Sequence, residues 1–139
     1  MSVKTGYGDF KLFLGYTFLY ATREDSDVIS ELTLNPRHSA GAVLFYESEE
    51  AGLKTGFETY WTGTQRLERN PYRTESPDYF LTGMVAEKTF GIVRLFVNFE
   101  NIFDVRQTRW DRLTVGSLTD PDFRTVPVYA PLEGRVING

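Results

Sequence analysis

The chain has 139 residues, a net charge of −4, 15% aromatic residues and no cysteine; that length is enough for one domain with its own core. The missing cysteine excludes a disulfide scaffold, a thiol nucleophile and a cysteine-based zinc site, and no basic stripe or arm offers a footprint for nucleic acid. No run approaches the 18 apolar residues of a transmembrane helix. The mean hydropathy of −0.31 is nevertheless compatible with barrel strands, which turn only alternate residues to lipid. The opening Met1-Ser2-Val3-Lys4-Thr5-Gly6 has neither the apolar stretch nor the cleavage site of a signal peptide. It therefore reads either as a chain that is not exported or as a piece of a longer exported one.

Six runs alternate apolar and polar residues, as a half-buried strand does. The first, Asp9 to Thr22, places Phe10, Leu12, Leu14, Tyr16, Phe18 and Tyr20 on one face and Lys11, Phe13, Gly15 and Thr17 on the other. It exceeds the usual five or six residues of a soluble strand. It suits the 9–11 residues of a tilted membrane crossing. The second run, Ser39 to Glu47, follows Asn35-Pro36-Arg37-His38, and the third, Leu53 to Thr62, carries Lys54 and Glu58 on its polar side. Asp78 to Lys88 is the fourth run and Ile92 to Glu100 the fifth, with Arg94 and Glu100 opposite a wholly apolar face. The sixth runs from Leu132 to Gly139. No helix is predicted, and the hairpins do not repeat in residue identity, so the pattern is a meander and not a solenoid.

The links alternate as well. Those at Glu49–Gly52 and Lys88–Gly91 are short, while Arg23–Arg37, Thr64–Pro77 and Asp104–Pro131 are long. One rim of the sheet is trimmed and the other elaborated, as in transmembrane β-barrels. The fold class expected over residues 1–139 is all-β, a single antiparallel up-and-down meander of about six strands, either a barrel fragment or a small closed barrel. Alternation does not say which face is wet. In a soluble barrel the apolar face points inward; in a membrane barrel it meets lipid, and Lys11, Lys54, Glu58, Arg94 and Glu100 line a watery lumen. Tyr20, Tyr46, Trp61, Tyr79 and Phe99 sit toward strand ends, where interfacial aromatic girdles would lie.

Single residues point to structure more than to chemistry. One histidine, His38, with no cysteine does not build the usual zinc set, and it reads as a residue that sets the start of a strand. Asp120-Pro121-Asp122 lacks the glycine and bidentate glutamate of a calcium loop and reads as a turn. Glu24, Asp25 and Asp27 read as a solvated loop. Ser, His and Asp show no ordered triad. Glu58 and Glu100 are candidates for paired carboxylates, but pairing with Lys54 or Arg94 across neighbouring strands is the simpler expectation. No cofactor, metal or catalytic residue is assigned, and the chain is not expected to be an enzyme.

The stretch Phe96-Val97-Asn98-Phe99-Glu100-Asn101-Ile102-Phe103-Asp104 resembles the penultimate strand of TonB-dependent outer-membrane receptors, where an Asn-(Leu/Ile)-Phe-Asp segment opens the last outer loop. Ala130 to Gly139, with Gly134-Arg135, resembles that family's final strand; Leu34-Asn35-Pro36-Arg37-His38 and Gly15-Tyr16-Thr17-Phe18 resemble two earlier ones. The resemblance covers essentially the whole chain in order. It implies the C-terminal part of a 22-stranded barrel that imports siderophores, cobalamin, haem or glycans. No plug domain and no TonB-contacting box are present, so TonB would be met only through regions outside this chain, and no transport is expected from it alone. Within the resemblance Asn101, Phe103, Asp104, Gly134 and Arg135 are structural: Asn and Asp to turn the chain, Phe103 to anchor at the rim, Arg135 to face the lumen against a carboxylate. The family ordinarily ends a few residues later, in an aromatic residue, which suggests a fragment here. The partner expected for the full-length parent is outer-membrane lipid. A six-stranded piece has two raw edges, so the isolated chain, itself soluble or not, is expected to close as a small barrel or to pair edges with a second copy. A soluble lipocalin-like barrel binding an apolar ligand is the other reading, and a small β-barrel enzyme a third, less favoured one.

Overall fold

The computed structural model describes residues 1–25 and 28–139, apart from the side chains of residues 23, 25 and 28–31. Its strands are β1 (Ser2–Tyr7), β2 (Phe10–Phe18), β3 (Thr22–Asp25), β4 (Val28–Glu31), β5 (His38–Ser48), β6 (Leu53–Thr62), β7 (Tyr79–Phe90), β8 (Val93–Glu100), β9 (Thr114–Val115), β10 (Arg124–Thr125) and β11 (Val136–Asn138). Seven form one antiparallel sheet in the order β1-β2-β5-β6-β7-β8-β11; β3 pairs with β4, and β9 with β10. The all-β meander expected from alternation is present, with one more strand than the six runs. β1 joins β2 through Gly8-Asp9 and extends the alternation of short and long links by one hairpin.

Several boundaries shift. β2 stops at Phe18, and the link after it holds the β3–β4 hairpin, so Glu24 and Asp25 lie in a strand instead of a solvated loop; Asp27 falls outside the described residues. The last run shrinks to the three residues of β11, because Glu133–Arg135 are used in contacts with Asn101, Ile102 and Asp104. The small closed barrel is not formed. β1 and β11 are the two edges and do not pair with each other. Seven strands fall short of the eight that enclose an interior just filled by side chains, and this sheet turns Phe13, Tyr60 and Phe96 to its polar face.

Register keeps one parity across every pair. Leu12 faces Leu44, Leu44 faces Phe57, Phe57 faces Met84, Met84 faces Phe99 and Phe99 faces Ile137. One face is therefore mainly apolar from edge to edge, with a few Thr and Ser residues and His38 among the apolar ones and Lys88 its single Lys, Arg, Asp or Glu. Its middle mixes Leu, Ala and Met side chains with Phe57 and with Thr59 and Thr82, whose hydroxyls lie 3.1 Å apart. Tyr7, Phe10, Tyr46 and Phe90 lie toward the short turns, and Tyr16, Phe18, Trp61 and Phe80 toward the long links. Polar handles point off the long-link row: Tyr16 Oη and His38 Nδ1 are 2.6 Å apart, and Trp61 Nε1 donates to Asp78 Oδ2 at 3.0 Å. His38 thus opens β5, its ring tilted by 44° to that of Phe18 with 5.1 Å between centroids. Lys88 bends back to donate to the Ala51 carbonyl in the adjoining turn.

The opposite face is polar and rich in glycine. Lys11–Glu47 (3.3 Å), Glu47–Lys54 (2.7 Å) and Glu87–Arg94 (3.4 Å) cross it near the short turns as a row of alternating sign. Aromatic rings lie over paired glycines: Tyr60 over Gly41 and Phe45 over Gly56.

The strands are also staggered. Phe10, the first residue of β2, is level with Tyr46, Thr55, Ala86 and finally Val97, which lies four residues beyond the start of β8. A shift of four residues over four strand-to-strand steps is about one residue per strand. With strands about 4.8 Å apart and about 3.3 Å per residue, the line of short turns runs about 35° off the perpendicular. That is the tilt of strands in a barrel wall.

A Cβ on Gly56 would lie 2.9 Å from the Phe45 ring and 3.1 Å from Val85 Cγ1, whereas a Cβ on Gly15 meets nothing within 4 Å. Gly56→Ala is expected to lower stability by about 1–3 kcal/mol and Gly15→Ala to leave it nearly unchanged. Equilibrium unfolding of the two variants checks the difference.

Candidate functional site

The long links pack together into a cap, and the chain's buried core lies there, not within the sheet. Leu67, Tyr129 and Ala130 are buried against Tyr79 and Trp110. Tyr79 therefore belongs to the polar-face side of β7 and to this core, not to an aromatic girdle. Its phase is opposite to that of Phe80, which does face the apolar side. The first layer of the cap is a ladder within 63–78: Leu67 N–H donates to the Thr74 carbonyl (2.8 Å) and Ser76 N–H to that of Gln65 (2.9 Å). Leu34 N–H reaches the Arg66 carbonyl at 3.0 Å and Tyr72 Oη the Thr114 carbonyl at 2.8 Å, so all three long links are joined.

Polar side chains complete the cap. Gln107, with 0% exposure, opens the short 3-10 turn Gln107–Arg109. It accepts from Tyr129 N–H at 2.8 Å and donates to the Pro127 carbonyl at 3.1 Å. Gln65 Nε2 donates to the Tyr129 carbonyl at 3.0 Å. The buried carboxylate of Asp111 takes Arg73 Nε and Nη2 at 3.0 and 2.7 Å and the Tyr129 hydroxyl at 2.6 Å. Burial pushes the Tyr129 phenol well above its ordinary range, and the Asp111 carboxylate adds to the shift. The hydrogen bond to Asp111 holds the Arg73 guanidinium more firmly charged.

The residues singled out by the sequence motifs meet at the base of the cap. Asn101 (φ 48°) and Asp104 (φ 55°) both take the left-handed conformation, which these short polar residues tolerate better than most. Asn101 Oδ1 accepts from Val105 N–H at 2.8 Å, and its Nδ2 donates to the Val105 and Glu133 carbonyls at 2.9 and 3.1 Å. Asp104 accepts from Arg106 (2.9 Å), from Arg109 and from the Arg135 N–H (3.2 Å). Gly134 leaves no room for a side chain, since a Cβ there would collide with Asp104 Oδ1. Phe103 is 62% exposed beside this knot. The Arg135 side chain donates to the Ile102 carbonyl at 2.8 Å, so its carboxylate contact runs through the main chain and not through the guanidinium expected to make it. Partial burial works to raise the Asp104 pKa. The Arg135 N–H and the charges of Arg106 and Arg109 outweigh it and hold the carboxyl below its usual value.

Beneath the cap, on the polar face, lies a cleft of about 360 Å³. Strands β6 and β8 present Glu58, Tyr60, Asn98 and Glu100 to it, and Glu133 and Gly134 form its roof. Glu58 leans over Gly83, where a Cβ would lie 3.1 Å from its Oε1, and accepts from Tyr60 Oη at 3.1 Å. Glu100 accepts from Asn98 Nδ2 at 2.8 Å. The pairing of these glutamates with Lys54 or Arg94 is thus not what forms, because Glu47 and Glu87 lie closer to those cations and take them. Glu58 and Glu100 keep neutral donors, and the cleft is rich in acceptors. No group of three or more His, Asp or Glu side chains is placed to hold a metal ion among the described residues. Asp120 caps its own turn, accepting from Asp122 N–H at 2.9 Å.

Compared with known proteins, the chain matches no family model, no curated protein and no solved structure. Sequence reasoning missed Gln65, Arg73, Gln107, Asp111 and Tyr129, which carry no periodicity and whose partners are distant in the chain.

Arg73→Met leaves the buried Asp111 carboxylate short of its cation and is expected to cost about 2–4 kcal/mol; Tyr129→Phe should cost about 1–2 kcal/mol. Thermal or denaturant unfolding checks both. Because Asp104 is held below the ordinary carboxyl value of 3.8 in the folded chain, its contribution is complete above that value and is lost as pH falls through the lowered one. Asp104→Asn should remove this part of the acid limb of a stability–pH profile, measured below about pH 4.

Proposed function

We propose that residues 1–139 form part of the wall of a bacterial outer-membrane β-barrel, the C-terminal barrel region of a TonB-dependent receptor. Such a receptor takes up a scarce nutrient, whether siderophore, cobalamin, haem or glycan, and these strands alone would not transport it. One observation carries the reading. The apolar face is continuous over seven strands, edged on both sides by aromatic residues, on a sheet staggered at a barrel's tilt. Lipid is the solvent that suits such a face: a mainly apolar middle for the acyl chains, and Tyr and Trp with polar handles at the interface. Lys88 turning its ammonium back to a rim carbonyl is the snorkelling expected of a cation there.

The central strands support the same reading. β5, β6 and β7 run 11, 10 and 12 residues, enough to cross a bilayer at a tilt. The alternating charges of the polar face then line a watery interior. The knot at Asn101, Asp104, Gly134 and Arg135 ties the cap down at one rim, where a receptor's long outer loops shape its vestibule. A lipocalin-like barrel would instead place its ligand cavity on the apolar side. Here the two sheet clefts, one under the cap and one along Gly15 and Gly41, are lined mainly from the polar face.

A charge scan of both faces tests the proposal. In lipid bilayers Leu44→Arg should cost about 2–4 kcal/mol, while Val43→Arg, one residue along and on the other face, should cost far less. A chain that stays soluble and monomeric without detergent, tolerates Leu44→Arg and is damaged by Val43→Arg would reverse the assignment of faces and sink the membrane reading.

A further inference from the structure

We propose that β1 is the edge through which two copies of this chain pair, residues 3–7 of one copy running antiparallel to residues 3–7 of the other with Thr5 at the two-fold axis. The main-chain nitrogen and oxygen of Met1 both bond to Tyr16, at 2.9 Å each. Val3, Thr5 and Tyr7 share the phase of Met1 and turn their N–H and C=O groups toward β2, so those of Ser2, Lys4 and Gly6 point out of the sheet. No described strand lies beyond them. An unpaired edge recruits another strand unless a proline, a bulge or an outward lysine guards it. β1 has none of these. Its register runs unbroken from Ser2 to Tyr7, and its one charged side chain, Lys4, folds back over the Phe13 ring at 5.1 Å.

Direction and register select the occupant. An even number of antiparallel steps separates β1 from β11, so the two edges run the same way. β1 of one copy against β11 of another would make a parallel pair, the less stable kind, on a strand of only three residues. Against a second β1 the pair is antiparallel. Its two-fold axis stands perpendicular to the sheet and keeps the apolar faces of both copies on one side. Centring the pair on Lys4 would set two ammonium side chains directly opposite each other. Centring it on Val3 leaves Tyr7 bare, and on Gly6 leaves Val3 bare. Centred on Thr5, each position meets a suitable partner. Val3 lies opposite Tyr7 of the other copy, a β-branched and aromatic pair that covers a ring 89% exposed in the single chain. The two Thr5 side chains meet, a favourable cross-strand pair. Lys4 lies opposite Gly6, and these two exchange both of their main-chain bonds, once on each side of the axis. In a closed wall a neighbouring strand takes this edge; a second copy supplies that strand to residues 1–139 by themselves. The proposal needs only the sheet and does not rest on the transport reading.

The test uses the full chain in neutral-detergent micelles, followed by sedimentation equilibrium over a range of protein concentrations with micelles in excess. A monomer–dimer equilibrium is expected. Lys4→Pro removes an outward N–H and leaves the bonds to β2 in place, since an edge strand accepts proline where its nitrogen faces away from the sheet. Dimerisation should weaken about tenfold or more, with circular dichroism unchanged. Single cysteines read the register, in a chain that otherwise has none. Thr5→Cys should give a disulfide-linked dimer on air oxidation, because opposite residues of a non-hydrogen-bonded pair have Cα atoms about 4.5 Å apart, within disulfide reach. Val3→Cys, on the same edge and face, should not, because its two copies lie about 13 Å apart along the strands. A chain that stays monomeric throughout overturns the proposal. So does a dimer that folded Lys4→Pro leaves intact, or Val3→Cys cross-linking as readily as Thr5→Cys. If Lys4→Pro alters the circular dichroism, the cysteine pair decides alone.

Discussion

Everything in this fold hangs on one constraint: seven strands must keep the same side-chain parity from edge to edge. A slip of one residue at any pair would send half of the sheet's apolar side chains to the polar face. Local geometry prevents the slip. Each short turn places a glycine in the left-handed region, Gly8 at φ 56°, Gly52 at 56° and Gly91 at 59°, where a side chain would be strained. The turn length is thereby set, and with it the pairing of both strands. The rings of Tyr60 and Phe45 lock the next pair by lying over the glycines opposite them.

The sheet and the cap divide the physical work. The sheet supplies two faces of contrasting character and very little buried volume, since its large apolar residues stay half exposed on the long strands. The cap supplies the enclosed core and holds it with polar side chains. Gln107 and Gln65 replace the backbone ladder that irregular chain lacks, giving otherwise orphaned N–H and C=O groups their partners, while Asp111 ties the Arg73 and Tyr129 side chains together. A carboxylate enclosed with a bidentate arginine and a phenol fixes one geometry more tightly than apolar packing alone would.

How much of this was legible in the sequence follows from period. β2, β5 and β6 were readable because two-residue alternation over nine or more positions leaves little choice of structure. β1 was overlooked although Val3, Thr5 and Tyr7 alternate, because the run is short and broken by Gly6. Tyr79 was placed on the wrong side because its phase depends on where β7 starts, and one residue separates it from Phe80. The knot was half legible: Asn101 and Asp104 stood out as turn-forming residues and Gly134 as part of the Gly134-Arg135 motif, but their meeting needed the pairing of β8 with β11. Gln65 and Tyr129 are 64 residues apart, and no local rule connects them.

The unequal reach of the contacts sets an order of assembly. The hairpins β1–β2, β5–β6 and β7–β8 close over tight turns, and such local contacts form on the microsecond scale. The cap draws together residues from three separate links, so it pays the entropy of closing long loops before any of its contacts is gained. The three hairpins therefore register first, and joining them into one sheet closes the same long links that build the cap. In the mature fold the same asymmetry runs backwards. The long links can come apart as a unit while the hairpins beneath them stay paired, which makes the rim that carries the knot the natural place for this chain to move.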